Sequence, residues 1–321
     1  MRLARRFLMA PTTRRVALKG LAGATAMAAT LRAPFAHAQD DEDDDVKPAT
    51  FRRPQTLIVA GLDSRQEGEP ENSDVFMIAQ VDLQAKTVRA ISVPRDLYLE
   101  IPGFGADKIT RAYDFGSKSQ NGKFKAGAEL MKATVEYNFG LEVDSVVVTT
   151  FHGFEDIVDA FAPLEIELPY AVSDSEYPTL DYGYMSISFP EGPQEVNGEQ
   201  ALQLCRTRHQ DGDPGRVMRQ QIVLRALLTK ASSPEYADQL WDIVKENKKK
   251  VRTDLGPSKQ LTYALAVPDF SNEGVKFATL QDFVYDDTAA NGMWIYSGMW
   301  EQIPGFVAGF LNGTIEVEQI V

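Results

Sequence analysis

Four arginines and a glutamine crowd into one short stretch, residues 204–221 (LCRTRHQDGDPGRVMRQQ): Arg206, Arg208, Arg216, Arg219 and Gln220. With 205–209 extended, side chains alternate, and the Arg206 and Arg208 guanidinium groups share a face about 7 Å apart. Two planar forks at that spacing suit adjacent phosphates better than a single carboxylate. Asp213-Pro214 reads as a helix N-cap followed by proline at the first helical position. On that helix Arg216 and Gln220 stand four residues apart, with Arg219 beside them, and the helix N-terminus adds partial positive charge. The chemistry this implies is a pocket for a polyanion such as a diphosphate. The competing reading is a salt-bridged surface helix.

The cluster is local, because the chain is otherwise acidic: 321 residues carry a formal net charge of -13. That balance argues against nucleic acid as the main partner and against general adhesion to anionic lipid. Hydrophobic content of 44% and charged content of 25% suit a soluble globular protein. A single cysteine, Cys205, excludes an internal disulfide and reads as a small buried hydrophobe beside the arginines. Three histidines, His37, His152 and His209, are too few and too scattered for a zinc site.

The elements that must position a counterpart lie upstream. Apolar runs at 56–62, 75–81 and 87–93 read as three strands, the last stopped by Pro94. As an up-down-up set they bring Asp63, Asp74, Arg95 and Asp96 to one edge of the sheet. Carboxylates at two converging strand ends suit Mg²⁺, which takes one or two carboxylates plus waters and phosphate oxygens. Loop acids also often do no more than cap turns. Lys108 reads either as a further phosphate contact or as an exposed loop lysine.

A helix over 123–139 stops at Gly140, and a strand at 144–151, a helix at 154–161 and a strand at 164–168 follow. This β-α-β run after a meander predicts an α/β fold, a mixed central sheet flanked by helices. Residues 177–184 form an aromatic loop, 185–189 a strand, and Asn197 caps a helix over 198–204 with Gln200 at its third position. Later come helices at 235–249 and 257–266, a strand at 275–280 and an apolar stretch at 299–311. No Gly-rich phosphate loop, G-x-S-x-G or H-E-x-x-H is found.

At the N-terminus, Thr13-Arg14-Arg15-Val16-Ala17-Leu18-Lys19 has the form of a twin-arginine export signal. A weak apolar run at 21–31 and Ala36-His37-Ala38 complete a cleavable signal too short to span a bilayer. Residues 1–38 therefore read as a signal peptide, 39–54 as a disordered acidic linker, and the protein as exported to the cell envelope. Retention as a poor membrane anchor is the alternative.

Several separated motifs, in one order, resemble a single family. They are Gly61-Leu62-Asp63-Ser64-Arg65, Asn72-Ser73-Asp74, Ser92-Val93-Pro94-Arg95-Asp96 and Asp107-Lys108-Ile109. Then come Asn197-Gly198-Glu199-Gln200-Ala201-Leu202, Arg206-Thr207-Arg208-His209 and Gly215-Arg216-Val217-Met218-Arg219-Gln220-Gln221. The chain thus resembles the LytR-CpsA-Psr family of cell-wall glycopolymer transferases, from about residue 56 to about 230. The resemblance implies an α-β-α layered fold with a long apolar pocket for a polyprenyl chain. It also implies Mg²⁺-aided transfer of a glycopolymer from a polyprenyl diphosphate carrier to a muramic acid hydroxyl of peptidoglycan, at the membrane surface where the carrier sits.

Carried over by position, the metal acids fall on Asp63 and Asp74, and the diphosphate ligands on Arg65, Arg95, Lys108, Arg206, Arg208, Arg216 and Gln220. Asp74 or Asp96 takes the hydroxyl proton, with Arg95 stabilising the transferred phosphate; Asp96 alternatively only orients Arg95. The catalytic domain spans 55–232 on this reading, and 233–321 is a C-terminal segment packing on the core. Thr110 and Cys205 depart from the family pattern. A polyprenyl diphosphate hydrolase using the same site, or a non-catalytic lipid or wall-binding module, are the competing functions.

Overall fold

A computed structural model of the protein describes residues 46–63, 71–179 and 183–319. The expected export signal, the acidic run 40–45 and Arg65 lie outside the described residues.

Three strands open the fold. β1 (Gln55–Asp63), β2 (Asn72–Asp82) and β3 (Thr87–Ser92) form the expected antiparallel meander. Its register sets Ile58 opposite Ile78 and Ile78 opposite Ile91. All three are fully buried, and each contributes roughly 1.5–3 kcal/mol by leaving water. β4 (Tyr98–Ile101) and β5 (Gly105–Lys108) then make a short hairpin, leading through a 3-10 turn (Ile109–Arg111) into α1 (Ala112–Ser119). α2 (Phe124–Phe139) ends at Gly140, whose φ of 70° is the left-handed conformation that glycine adopts at low cost.

β6 (Ser145–Thr150) runs parallel to β1. After it come α3 (Phe151–Asp159), β7 (Leu164–Leu168), β8 (Val172–Pro178), β9 (Tyr184–Phe189) and β10 (Gly192–Val196). Asn197 and Gln200 form the anticipated reciprocal cap of α4 (Gly198–Arg206), and α5 (Gly212–Ala231) follows. The described chain closes with α6 (Leu240–Glu246), β11 (Val251–Thr253), α7 (Pro257–Ala266), β12 (Val275–Thr279), β13 (Val284–Thr288), β14 (Trp294–Gly298) and α8 (Ile303–Leu311).

The central sheet has the order β11-β6-β1-β2-β3-β12 and is mixed, with β1/β6 and β3/β12 parallel. On one face Ile58, Leu62, Phe76 and Ile78 pack with Met131 and Val135 of α2 and Val307 and Phe310 of α8. On the other, Met77, Ala79 and Phe277 meet Leu224 and Leu228 of α5. The result is the α-β-α layering expected. Both edge strands of the sheet come from beyond residue 232, so the C-terminal segment is built into the sheet itself.

Local expectations change where tertiary contacts compete with sequence pattern. Residues 205–209 are not an extended run. α4 continues through Arg206, because Leu204 and Cys205 carry on its buried face, and its C-cap Thr207 turns extended (φ -60°, ψ 142°). α5 begins at Gly212 rather than after Asp213, so Asp213 and Pro214 lie inside its first turn. The N-cap is Asp211, which makes no side-chain capping bond, because Tyr170 and Arg219 engage its carboxylate. β2 starts at Asn72, ahead of the apolar run, and the helix expected at 235–249 shortens to α6. The folded unit also starts before residue 55: the Ala49 backbone bonds Ser258 and Thr262, and Arg53 pairs with Asp144 at 2.7 Å.

Candidate active site

The register of β1 against β2 breaks at one point: Gly61 faces Val75, Leu62 faces Ser73, and Asp74 has no partner on β1. Asp74 is thus the extra residue of a β-bulge, a device that re-aims a side chain at a sheet edge. Asp63 ends β1 opposite Asn72, at the same end of the pair. Pro94 lacks a backbone N–H and ends β3, and the turn beyond it, with Leu97 N bonded to Pro94 O at 3.0 Å, presents Arg95 and Asp96.

These groups form one chain of ion pairs. Arg95 Nη1 donates to Asp74 Oδ1 at 2.6 Å and its Nε to Asp96 Oδ2 at 3.3 Å. Lys108 Nζ donates to Asp96 Oδ1 at 2.7 Å. Asp96 therefore orients two cations at once, which favours the orienting role over that of the base. Burial opposes the charge on Arg95, but Asp74 and Asp96, helped by Asp213, outweigh it and raise its pKa. Thr110, a departure from the family pattern, ties the 3-10 turn after β5 to β2: its Oγ1 donates to Ser73 O at 3.0 Å, beside Asp74.

The distant arginine segment meets this edge. Arg216 on α5 is 4% exposed, pairs with Asp213 at 2.5 Å, and keeps a buried Nε with no hydrogen-bond partner. Burial is the main force lowering its pKa; Asp213 opposes, while Arg95 and Arg208 add repulsion. A desolvated guanidinium with an unmet donor and cationic neighbours is suited to receive an anion. Arg206, at the end of α4, lies 4.2 Å from the Phe151 ring centroid and donates to Tyr177 Oη at 3.0 Å. Exposed Arg208 follows on the α4–α5 loop.

Asp74, Arg206, Arg216 and Gln220 line one cavity of about 90 Å³, whose remaining wall includes Val59, Met77, Phe151, Phe154, Leu202 and Leu224. Arg206 and Arg216 thus reach the Asp74 end of the sheet, one from a helix end and one from a helix face; Arg208 does not line this cavity. Gln220 is spent partly on structure, its Nε2 donating to Cys205 O at 3.0 Å.

Arg219 does not belong to the cluster. It is 1% exposed, bonds the carbonyls of Leu204 (3.0 Å) and Thr207 (2.6 Å), and pairs with Asp211. Gly215 makes room for that arrangement, since a Cβ there would stand 2.0 Å from the Asp211 carboxyl carbon. Asp174, 3% exposed, secures the other side of the loop by accepting Thr207 Oγ1 at 2.6 Å and contacting His209 Nδ1 at 2.8 Å.

Sequence reasoning missed three contributors. Asp213, assigned to a cap, is the partner of Arg216; the three-residue spacing on a helix was the available signal. Tyr296 and Trp294 of β14 wall the site from the C-terminal segment, with Tyr296 N bonded to Asp96 O at 2.9 Å and Lys108 Nζ 5.3 Å from the Trp294 ring centroid. The Tyr296 phenol is pushed up by burial and by Asp213, Asp286 and Asp96, against a hydrogen bond to Gln281. Nothing local in sequence marks either aromatic.

The chain matches the LytR_cpsA_psr family over residues 24–305. It belongs to that family. It is 31% identical, over 252 residues, to the polyisoprenyl-teichoic acid–peptidoglycan teichoic acid transferase TagU of Oceanobacillus iheyensis, covering 77% of this chain and 72% of that one. Over 190 residues it is 32% identical to the regulatory protein MsrR of Staphylococcus aureus, spanning 57% of this chain and about half, 53%, of that relative. The fold is shared with the crystal structure of B. subtilis TagV (TM-score 0.65, 21% identity, 82% of this chain and 99% of that one). It is shared also with TagT bound to LI-WTA (TM-score 0.62, 24% identity, 86% and 95%). Among the described residues no helix is long and apolar enough to cross a membrane.

Proposed function

We propose that this protein transfers a phosphoryl-linked glycopolymer from a polyprenyl diphosphate carrier to a peptidoglycan hydroxyl in the cell envelope. The observation that carries the reading is Arg216: a buried guanidinium with an unmet donor that lines a largely apolar cavity together with Asp74. The name of the TagU relative supports the transferase class. The apolar wall that α3 and α5 give this cavity suits the prenyl chain beside the diphosphate.

Transfer of this kind asks the protein for charge neutralisation and positioning rather than covalent help. Arg95, Arg206, Arg208 and Arg216, with Lys108, hold the two phosphates and stabilise the charge on the departing polyprenyl phosphate. The attacking sugar oxygen forms the new bond to phosphorus, the bridging P–O bond breaks, and Asp74 accepts the hydroxyl proton. Asp96 aligns Arg95 and Lys108. Arg65 joins the phosphate ligands on family grounds.

Asp63 and Asp74 suit Mg²⁺. Among the described residues no group of three or more acidic, histidine or cysteine side chains converges, and Mg²⁺ completes its shell with water and phosphate oxygens. Bound there, it would neutralise diphosphate charge.

The test uses purified protein, a glycan-linked polyprenyl diphosphate and peptidoglycan. Glycan attached to peptidoglycan and lipid phosphate released are both measured, with and without EDTA. Transfer is expected to fall in Arg206→Ala and Asp74→Ala; wild-type rates in either variant would sink the assignment. Phosphate release without peptidoglycan at the same rate would mark a hydrolase instead.

A further inference from the structure

Trp294 stands on β14 beside the phosphate-binding cations, yet 46% of it is exposed. Its ring is held in place. Indole Nε1 donates to Asp286 Oδ1 at 3.1 Å on the paired strand, and Tyr296 meets the ring edge-on with centroids 4.9 Å apart. Lys108, fixed by Asp96, lies 5.3 Å from the ring centroid. On the same face of the hairpin Asp286 and Thr288 are exposed, while Asp287 and Ser297, bonded to each other at 2.7 Å, lie on the other face.

We propose that Trp294 is a stacking platform for a pyranose ring of the glycan next to the diphosphate, which makes the β13–β14 hairpin a sugar-recognition surface. The proposal rests on the reading of the site as one for a sugar-linked diphosphate. A pyranose ring is apolar on its C–H faces and polar at its rim. The electron-rich indole face attracts those polarised C–H groups, while the Asp286 carboxylate and the Thr288 hydroxyl on the same face accept rim hydroxyls. An apolar protein or lipid partner would require a contiguous hydrophobic patch; here the charged Asp286 and Lys108 border the ring. A pre-oriented ring loses little freedom on binding, so the surface is ready-made.

Three soluble ligands test this on the full chain: farnesyl diphosphate, farnesyl diphosphate carrying N-acetylglucosamine, and a phosphate-free N-acetylglucosaminyl-N-acetylmuramic acid tetrasaccharide. Affinities are measured for wild type, Trp294→Ala and Trp294→Tyr, together with the wild-type indole N–H resonances. Trp294→Ala is expected to weaken a sugar-bearing ligand about tenfold, Trp294→Tyr less, with farnesyl diphosphate unchanged. Loss on the lipid-linked sugar makes the ring a donor contact; loss on the tetrasaccharide makes it an acceptor contact. Wild-type affinity of Trp294→Ala for both sugars, or no movement of the Trp294 indole resonance with either, overturns the proposal. Should farnesyl diphosphate fail to bind wild type, the diphosphate reading falls by itself, and the tetrasaccharide still decides the role of Trp294.

Discussion

Arg95 reaches back from the end of β3 to Asp74, the bulged residue of β2, and donates to its Oδ1 at 2.6 Å. The same guanidinium contacts Asp96 at 3.3 Å, so two carboxylates flank one cation in different roles. Asp74→Asn keeps an acceptor for Arg95 but removes the proposed base and one of the two carboxylates suited to Mg²⁺, and kcat is expected to fall about 10²–10⁴-fold. Asp96→Asn loosens Arg95 and Lys108 together and is expected to raise KM for the donor more than it lowers kcat. Steady-state kinetics of the two variants separate these outcomes; identical profiles would refute the division of labour.

Arg216 and Arg219 share a helix but not a task. Arg219→Gln breaks a buried pair with Asp211 and two carbonyl bonds, with an expected loss of about 3–5 kcal/mol in urea unfolding. Arg216→Gln is expected to abolish stabilisation by pyrophosphate, which reaches about 2.7 kcal/mol at a hundred times Kd in the wild type. Thermal scans with and without pyrophosphate check both. A full ligand shift in Arg216→Gln would remove Arg216 from the anion site.

Asp174 links loop stability to pH. Burial alone would raise its pKa, but bonds from Thr207, the Glu176 backbone and His209 outweigh it and hold the carboxyl below its usual range. With a depressed folded pKa, the unfolded state binds more protons in acid. This stabilisation is complete above about pH 4 and is lost as pH falls through the folded value. Asp211 is depressed in the same direction, so it contributes to the same window. Asp174→Asn is expected to be less stable at neutral pH and to show a shallower decline in urea midpoint below about pH 4. Parallel curves for variant and wild type would contradict this.

Cys205 is chemically quiet. Burial pushes its thiol up to about 12, against the pull of Arg219 and Arg216. Native protein at pH 8 is expected to resist iodoacetamide and to be labelled once unfolded in urea, and Cys205→Ala is expected to keep transfer near the wild-type rate. Rapid labelling of the native thiol would show that the α4 packing opens.

The sequence alone determined the meander, the capped α4, the mixed sheet and the family, because each depends on local pattern: apolar runs, Asn197 with Gln200, Pro94, and motifs in order. It also brought Asp63, Asp74, Arg95 and Asp96 to one end of the sheet, though not Asp213, Tyr296 or Trp294. How they meet was decided only by tertiary structure. Asp74 is aimed by a slip in β1–β2 register, and register is a property of two strands rather than of either one. Arg206 belongs to a helix because Leu204 and Cys205 gain more from burial than an extended segment would offer. Arg216 and Arg219 look alike in sequence. They were separated by what surrounds each of them: Arg219 found Asp211 and two carbonyls, while Arg216 kept an unmet donor and lines the cavity with Asp74. Trp294 and Tyr296 were invisible for the same reason, since only the folded sheet brings β14 alongside Asp96 and Lys108.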